Sequence, residues 1–393
     1  PYSDDQWDAI QALGHDVDRR LQDGDVRLTM GGEPTFVSID DMEGDEWRTA
    51  AVGPAKARLS DRLIRRLKDR FAPDGLLHFG QGKWDPGESL PRWSLSCYWR
   101  LDGQPMWRNA ERLADPAESA GQTSADAESF AAELCDRLEL DSRYALPAYE
   151  DSLYFVWKEQ NLPANVDPQD SKLEDPEERT RLARVFERGL GEPTGWVLPI
   201  QRQWWQAKAA WRTGPWPTRR GRVYLVPGDS PIGLRLPLDA LPWMVTPSYP
   251  QASFPVDPLL PRGPLPDYEQ LQRQLRQAVE PAMRRRSRRE RDAGEVASEA
   301  VADPQSVVRT AMCIEPRNGV LHVFMPPVDR LEDYLDLLAA VEDTAESMDL
   351  PVVIEGYTPP VDPRLQYIKV TPDPGVIEVN AVSYTHLTLP TMQ

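Results

Sequence analysis

The chain predicts an α+β fold around a mainly antiparallel sheet, on three observations. Two hairpins are legible in its last third. Strand-like residues 306–314 and 320–325 flank Pro316-Arg317-Asn318-Gly319, and residues 366–370 and 375–380 meet across Pro372-Asp373-Pro374-Gly375. Asn-Gly is a strong turn signal, because the tight turns that join antiparallel strands demand positive φ. Helical periodicity is confined to blocks apart from these hairpins, which favours segregated helices over strict βαβ alternation. The 393 residues, 40% of them hydrophobic, suffice for one large or two to three ordinary domains with a packed core.

Each element has its own signal. Residues 4–21 place Trp7, Ile10, Leu13, Val17 and Leu21 at helical spacing, and Gly24 follows as a stop. Residues 26–30 alternate like a half-buried strand that ends in Gly31-Gly32-Glu33-Pro34. A helix over 54–71 gathers Leu59, Leu63, Ile64, Leu67 and Phe71 on one side. Strands follow at 76–79 and 93–101, then helices at 125–138 and 176–190, strands at 196–200 and 222–226, a helix over 268–283, a helix over 328–348 and the strand 352–355. The 39 prolines are about twice ordinary usage, so long stretches are expected to be irregular, above all 242–266. Repeats are not evident.

These signals suggest one domain with interruptions. Residues 1–283 read as its N-terminal part, with a Trp/Pro-rich insert at about 105–265, and 305–382 as its closing hairpins and helix. Between them, 284–304 is a basic run, Arg284-Arg285-Arg286-Ser287-Arg288-Arg289-Glu290-Arg291, followed by an acidic, small-residue stretch, and reads as a solvated linker or loop. Residues 383–393 lose the Arg/Glu/Asp texture of everything before them. They read as a non-native tail on a truncated chain, so that Tyr384 and His386 carry no function.

Composition narrows the function. A net charge of −18 opposes a nucleic-acid partner, which needs a basic face. No run approaches the roughly 18 apolar residues of a membrane span, and the start lacks a signal-peptide pattern, so a cytoplasmic protein with no membrane partner is expected. Cys97, Cys135 and Cys313 are odd in number and lack metal spacing, which favours reduced, buried thiols. Cys97 lies among aromatics in a strand with no adjacent base, so a nucleophilic role is not expected.

Several polar residues stand where ligands can be met. Glu33 ends a strand between two glycines and a proline. Glu315 and His322 flank the Asn318-Gly319 turn, and Glu378 and Asn380, two apart on a strand, share one face. Such a sparse oxygen set suits Mg²⁺, which takes one or two carboxylates and keeps waters and substrate phosphates as its other ligands. Gly80-Gln81-Gly82-Lys83 is not a P-loop, because Leu77 and Trp84 stand where that motif needs Gly and Ser or Thr; Lys83 remains able to approach an anion as a point charge.

The segments 28–36, 78–84 with Pro86-Gly87-Glu88, Arg92-Trp93 and 369–380 resemble the bacterial DUF2126 family, amidoligases that usually follow a transglutaminase-like domain in one long polypeptide. The resemblance implies the catalytic fold of glutamine synthetase, a curved antiparallel sheet with helices on one face. It also implies an ATP- and Mg²⁺-dependent carboxylate–amine ligase that forms an amide through an acyl phosphate. Carried onto this sequence, it makes Glu33, Glu315 and Glu378 metal ligands, His322 and Asn380 metal or nucleotide contacts, and Lys83 and Arg317 phosphate or carboxylate partners. The implied partners are a carboxylate and an amine, as small molecules or peptides, and the transglutaminase-like domain.

Two other readings stay open. One is a non-catalytic peptide- or glycan-binding module with Trp204, Trp205, Trp211 and Trp216 as its platform, which predicts binding indifferent to Mg²⁺ and ATP. The other is an ATP-grasp-like ligase, since a Glu-x-Asn strand also occurs there.

Overall fold

A computed structural model describes residues 3–24, 34–83, 92–161, 185, 189, 191–203, 211–218, 221–228, 230–242, 262–279 and 307–381. The strand expected at 26–30, nearly all of the helix expected at 176–190, the linker at 284–304 and the tail at 383–393 lie outside these residues.

In chain order the elements are α1 (Asp4–Asp23), β1 (Thr35–Phe36), α2 (Pro54–Phe71), β2 (Leu76–Gln81), β3 (Trp93–Arg100), α3 (Ser124–Arg137), β4 (Leu146–Tyr149) and α4 (Ser152–Gln160). There follow β5 (Gly195–Pro199), β6 (Gln201–Arg202), β7 (Trp211–Arg212), β8 (Val223–Tyr224) and α5 (268–279). Last come β9 (Ala311–Arg317), β10 (Val320–Met325), α6 (Leu331–Met348), β11 (Val352–Gly356), β12 (Leu365–Asp373) and β13 (Val376–Ala381). None of the described helices is long and apolar enough to cross a membrane.

Two compact units divide these elements: residues 1–77, 81–99 and 366–393 form the first, and 78–80 with 100–365 the second. In the first, the strand order is β1-β13-β12-β3-β2. The hairpin β12–β13 pairs Thr371 with Glu378 and Lys369 with Asn380, and β1 adds Thr35 opposite Glu378. α2 begins with Pro54 at its first turn, where the missing N–H costs nothing. Glu46 accepts from the first-turn N–H groups of Ala55 and Lys56 at 3.2 and 2.8 Å, in place of a side-chain cap. The Lys56 ammonium is fully buried and donates to the carbonyls of Ala50, Ala51 and Asp373 at 2.7, 3.1 and 2.6 Å. Lys56 therefore ties α2 to the β12–β13 turn and is spent structurally.

In the second unit the order is β11-β10-β9-β5-β4-β8, with Phe79 of the 78–80 segment paired to Glu355 of β11. The hairpin β9–β10 turns at Asn318 and Gly319, whose φ values of 52° and 74° are those the sequence demands. A Cβ on Gly319 would stand 2.2 Å from Ser119 Oγ, so the position requires glycine twice over. The expectation of a mainly antiparallel arrangement holds for most pairings, but β10–β11 is parallel, with register His322–Val353 and Phe324–Glu355. A parallel pair needs a crossover, and α6 supplies it. α3 packs against α6, β5 and β9. Along β9, Cys313 alternates away from Met312 and Ile314 and joins Phe324, Val197, Val223, Leu225, Ile232 and Trp216 in one buried cluster. That alternation puts helices on one side of β9 and the 223–241 segment on the other.

α6 is buried along most of its length, including Glu342 and Asp343. Glu342 accepts from the backbone N–H of Arg108 and Asn109 at 2.7 and 3.0 Å, and Asp343 is paired with Arg137 at 2.7 Å and Arg276 at 2.8 Å. Buried carboxylates persist here because each meets several donors.

Candidate functional site

In the first unit, strand alternation and the β12–β13 register put Lys369, Thr371, Glu378 and Asn380 on one face, with Thr35 of β1 beside Glu378. Asn380 Nδ2 donates to Thr371 Oγ1 at 3.0 Å, which fixes the plane of the amide. The Lys369 ammonium lies 4.6 Å from the centroid of the Tyr367 ring, and burial holds its pKa below the usual lysine value. Lys83 follows β2 with an exposed side chain, and its backbone carbonyl accepts from Arg92 N at 2.9 Å.

In the second unit, the β9–β10 register sets His322 directly opposite Glu315, and Arg317 lies two residues on along the same face. Phe324 shares that face and pairs with Glu355 of β11, which brings Glu355 onto it as well. Arg317 Nη2 donates to Glu355 Oε2, while Arg317 Nε lies 3.6 Å from Glu315 Oε2. Glu315 Oε2 also accepts from Ile232 N at 3.1 Å. Burial pushes Glu355 up to about 7, against the pull of the Arg317 guanidinium. Its Oε1 is buried and, among the described residues, accepts no hydrogen bond.

His322 is buried, and its Nδ1 lies 3.0 Å from the carbonyl oxygen of Val320. A carbonyl only accepts, so this contact favours the tautomer with the ring proton on Nδ1. Burial, then the Arg317 charge, lowers its pKa to about 3, so this ring is neutral throughout the physiological range.

The sequence-derived candidates thus fall on two strand faces, one per unit: Glu378 and Asn380 on the first, Glu315, Arg317 and His322 on the second. Glu33 lies outside the described residues. Glu355 and Lys369 were missed by sequence reasoning. Their signals were present, however: a lone glutamate closing the apolar strand Val352-Val353-Ile354-Glu355, and a lysine alternating with Thr371 among apolar neighbours. The three cysteines are buried and free, and burial pushes Cys97 up to about 12, which leaves it inert as a nucleophile. The tryptophan platform is corrected for its two described members. Trp211 and Trp216 are buried, donating to Asp336 Oδ2 at 2.6 Å and Val308 O at 2.7 Å, because each indole N–H finds an internal acceptor.

Among the described residues, no three or more of His, Cys, Asp and Glu converge as a ready metal cage. The donors on both faces are nonetheless carboxylate and amide oxygens, the chemistry of a hard cation that takes few protein ligands. The unbonded Oε1 of Glu355 is an oxygen of that kind.

The described scaffold is mixed α/β, and two of its strand faces carry carboxylate, amide and cationic side chains. The family model described as "Putative amidoligase enzyme (DUF2126)" matches residues 1–389. The chain belongs to that family. Neither a curated protein nor a solved structure matches it.

Proposed function

We propose that the chain is a carboxylate–amine ligase that spends ATP to activate a carboxylate as an acyl phosphate and joins it to an amine as an amide. Family membership supports the ligase class. The observation that carries the finer reading is the β12–β13 face, where a carboxylate, an amide and an ammonium group stand together on the strands of the sequence's most distinctive motif.

Mg²⁺, when bound, would neutralise charge on the phosphoryl group being transferred. Glu33, Glu315 and Glu378 would act as metal ligands, as the family likeness implies, with Glu378 on the first unit's strand face and Glu315, separately, on the second's. Asn380 and His322 would contact metal or nucleotide, His322 through a neutral ring that needs no deprotonation. Lys83, exposed beyond β2, would approach a phosphate or the substrate carboxylate. Arg317 would meet an anion only by sharing a guanidinium already bound to Glu355. The acid and amine substrates, and a transglutaminase-like neighbour in the same polypeptide, follow from the family likeness.

Thermal unfolding with and without Mg-ATP tests this. A nucleotide at 100 times its dissociation constant stabilises the wild type by about 2.7 kcal/mol. The stabilisation should vanish in a folded Glu378→Gln or Glu33→Gln variant, and a Glu378→Gln protein that binds Mg-ATP like wild type would sink the assignment. Binding indifferent to Mg²⁺ would favour the binding-module reading instead.

A further inference from the structure

We propose that Lys369 is the cationic half of an oxyanion-binding site on the β12–β13 face, receiving either a phosphoryl group or the carboxylate of an acid substrate. Its setting is the argument. Lys369 is half-buried, yet among the described residues it makes neither a hydrogen bond nor an ion pair; its one close partner there is the Tyr367 ring, which itself lies tilted against Tyr98 at 5.5 Å between centroids. Directly across the hairpin stands Asn380, and diagonally Glu378, which lies close enough for long side chains to meet but forms no pair with the lysine.

Two buried cations among the described residues of the same unit are used up. Lys56 has three carbonyl acceptors, and Arg92 is paired with Asp373. A half-buried ammonium without an anion is costly to maintain, and burial accordingly lowers the Lys369 pKa. An oxyanion arriving at this face would restore the missing partner. The Tyr367 ring would back the ammonium, and the Asn380 amide and Thr371 hydroxyl would offer further hydrogen bonds.

The inference deepens the ligase reading and rests on it for the natural anion, but the site itself can be tested alone. Tripolyphosphate without Mg²⁺ serves as the phosphoryl probe and L-glutamate as the carboxylate probe, titrated into wild type, Lys369→Met and Lys369→Arg. At least one probe should bind the wild type, bind Lys369→Met at least about tenfold more weakly, a loss of about 1.4 kcal/mol, and bind Lys369→Arg nearly as well as wild type. Which probe responds decides between phosphoryl and carboxylate sources. The same probe should shield Lys369 of the wild-type protein from amine acetylation, read by peptide mass spectrometry, so the test survives a variant that fails to fold.

No binding of either probe to wild type, or equal binding to Lys369→Met, overturns the site. If tripolyphosphate protects Lys369 but Mg-ATP binding insensitive to Glu378→Gln is found, the anion site stands and the ligase assignment falls. If Mg-ATP binding depends on Glu378 while neither probe distinguishes Lys369→Met from wild type, the reverse holds.

Discussion

The two charged strand faces satisfy similar side chains in different ways. On the second unit's face, Arg317 stands between Glu355 and Glu315, the backbone N–H of Ile232 braces Glu315, and His322 is locked neutral against a carbonyl. On the first unit's face, Lys369 has an aromatic ring where a carboxylate could be, and its cross-strand partner is a neutral amide. The difference teaches how to separate stability from binding. Charges paired inside the protein are costly to break one at a time, whereas a half-buried charge without its counterpart costs stability and can gain a partner from a ligand.

Removing the central cation should have the largest effect. Arg317→Met leaves two buried carboxylates facing each other, and should cost about 3–5 kcal/mol in urea unfolding. A cost below about 1 kcal/mol would show that Arg317 is not the keystone of a closed cluster.

Next come two pH slopes of opposite sign, each bounded by about 1.4 kcal/mol per pH unit for one proton. His322, folded near 3 against an ordinary 6.5, binds its proton less readily in the native state; its contribution is full above 6.5 and is lost as pH falls through that window. Glu355, folded near 7 against an ordinary 4.5, binds its proton more readily when native, so its contribution is full below 4.5 and is lost as pH rises to 7. Stability-versus-pH curves of His322→Asn and Glu355→Gln, each subtracted from wild type, should therefore slope in opposite directions. Parallel difference curves would break this account of the second face.

The smallest stability change belongs to the first face. Lys369→Met should shift unfolding by no more than about 0.5 kcal/mol, since the substitution breaks no ion pair. A loss of several kcal/mol would turn Lys369 into a structural residue and erase the contrast.

Much of the architecture was legible in advance. The helix over 54–71 has the expected bounds, and that over 4–21 runs only slightly longer, to Asp23, because their apolar residues repeat at helical spacing and Pro54 marks a start. The hairpin at Asn318-Gly319 follows from local backbone sterics. The helix expected to begin at 328 starts at Leu331 instead, because Arg330 is in extended conformation and serves as its N-cap. The parallel step from β10 to β11 was not legible, since pairing across an intervening helix depends on where α6 packs rather than on either strand's composition.

The site was partly legible for the same reason. Alternation along one strand put Glu378 with Asn380, because a strand's period of two is a local property. That His322 faces Glu315 follows from the hairpin register. Only the assembled sheet brings Glu355 from a third strand to Arg317, and only burial turns His322 neutral and lifts Glu355 toward 7. By itself the sequence determined the family, the local elements and the residue types available for chemistry, since these rest on short-range sterics and spacing. Which charges are satisfied and which stand open was decided by the tertiary structure, because desolvation and pairing depend on neighbours that lie far apart along the chain.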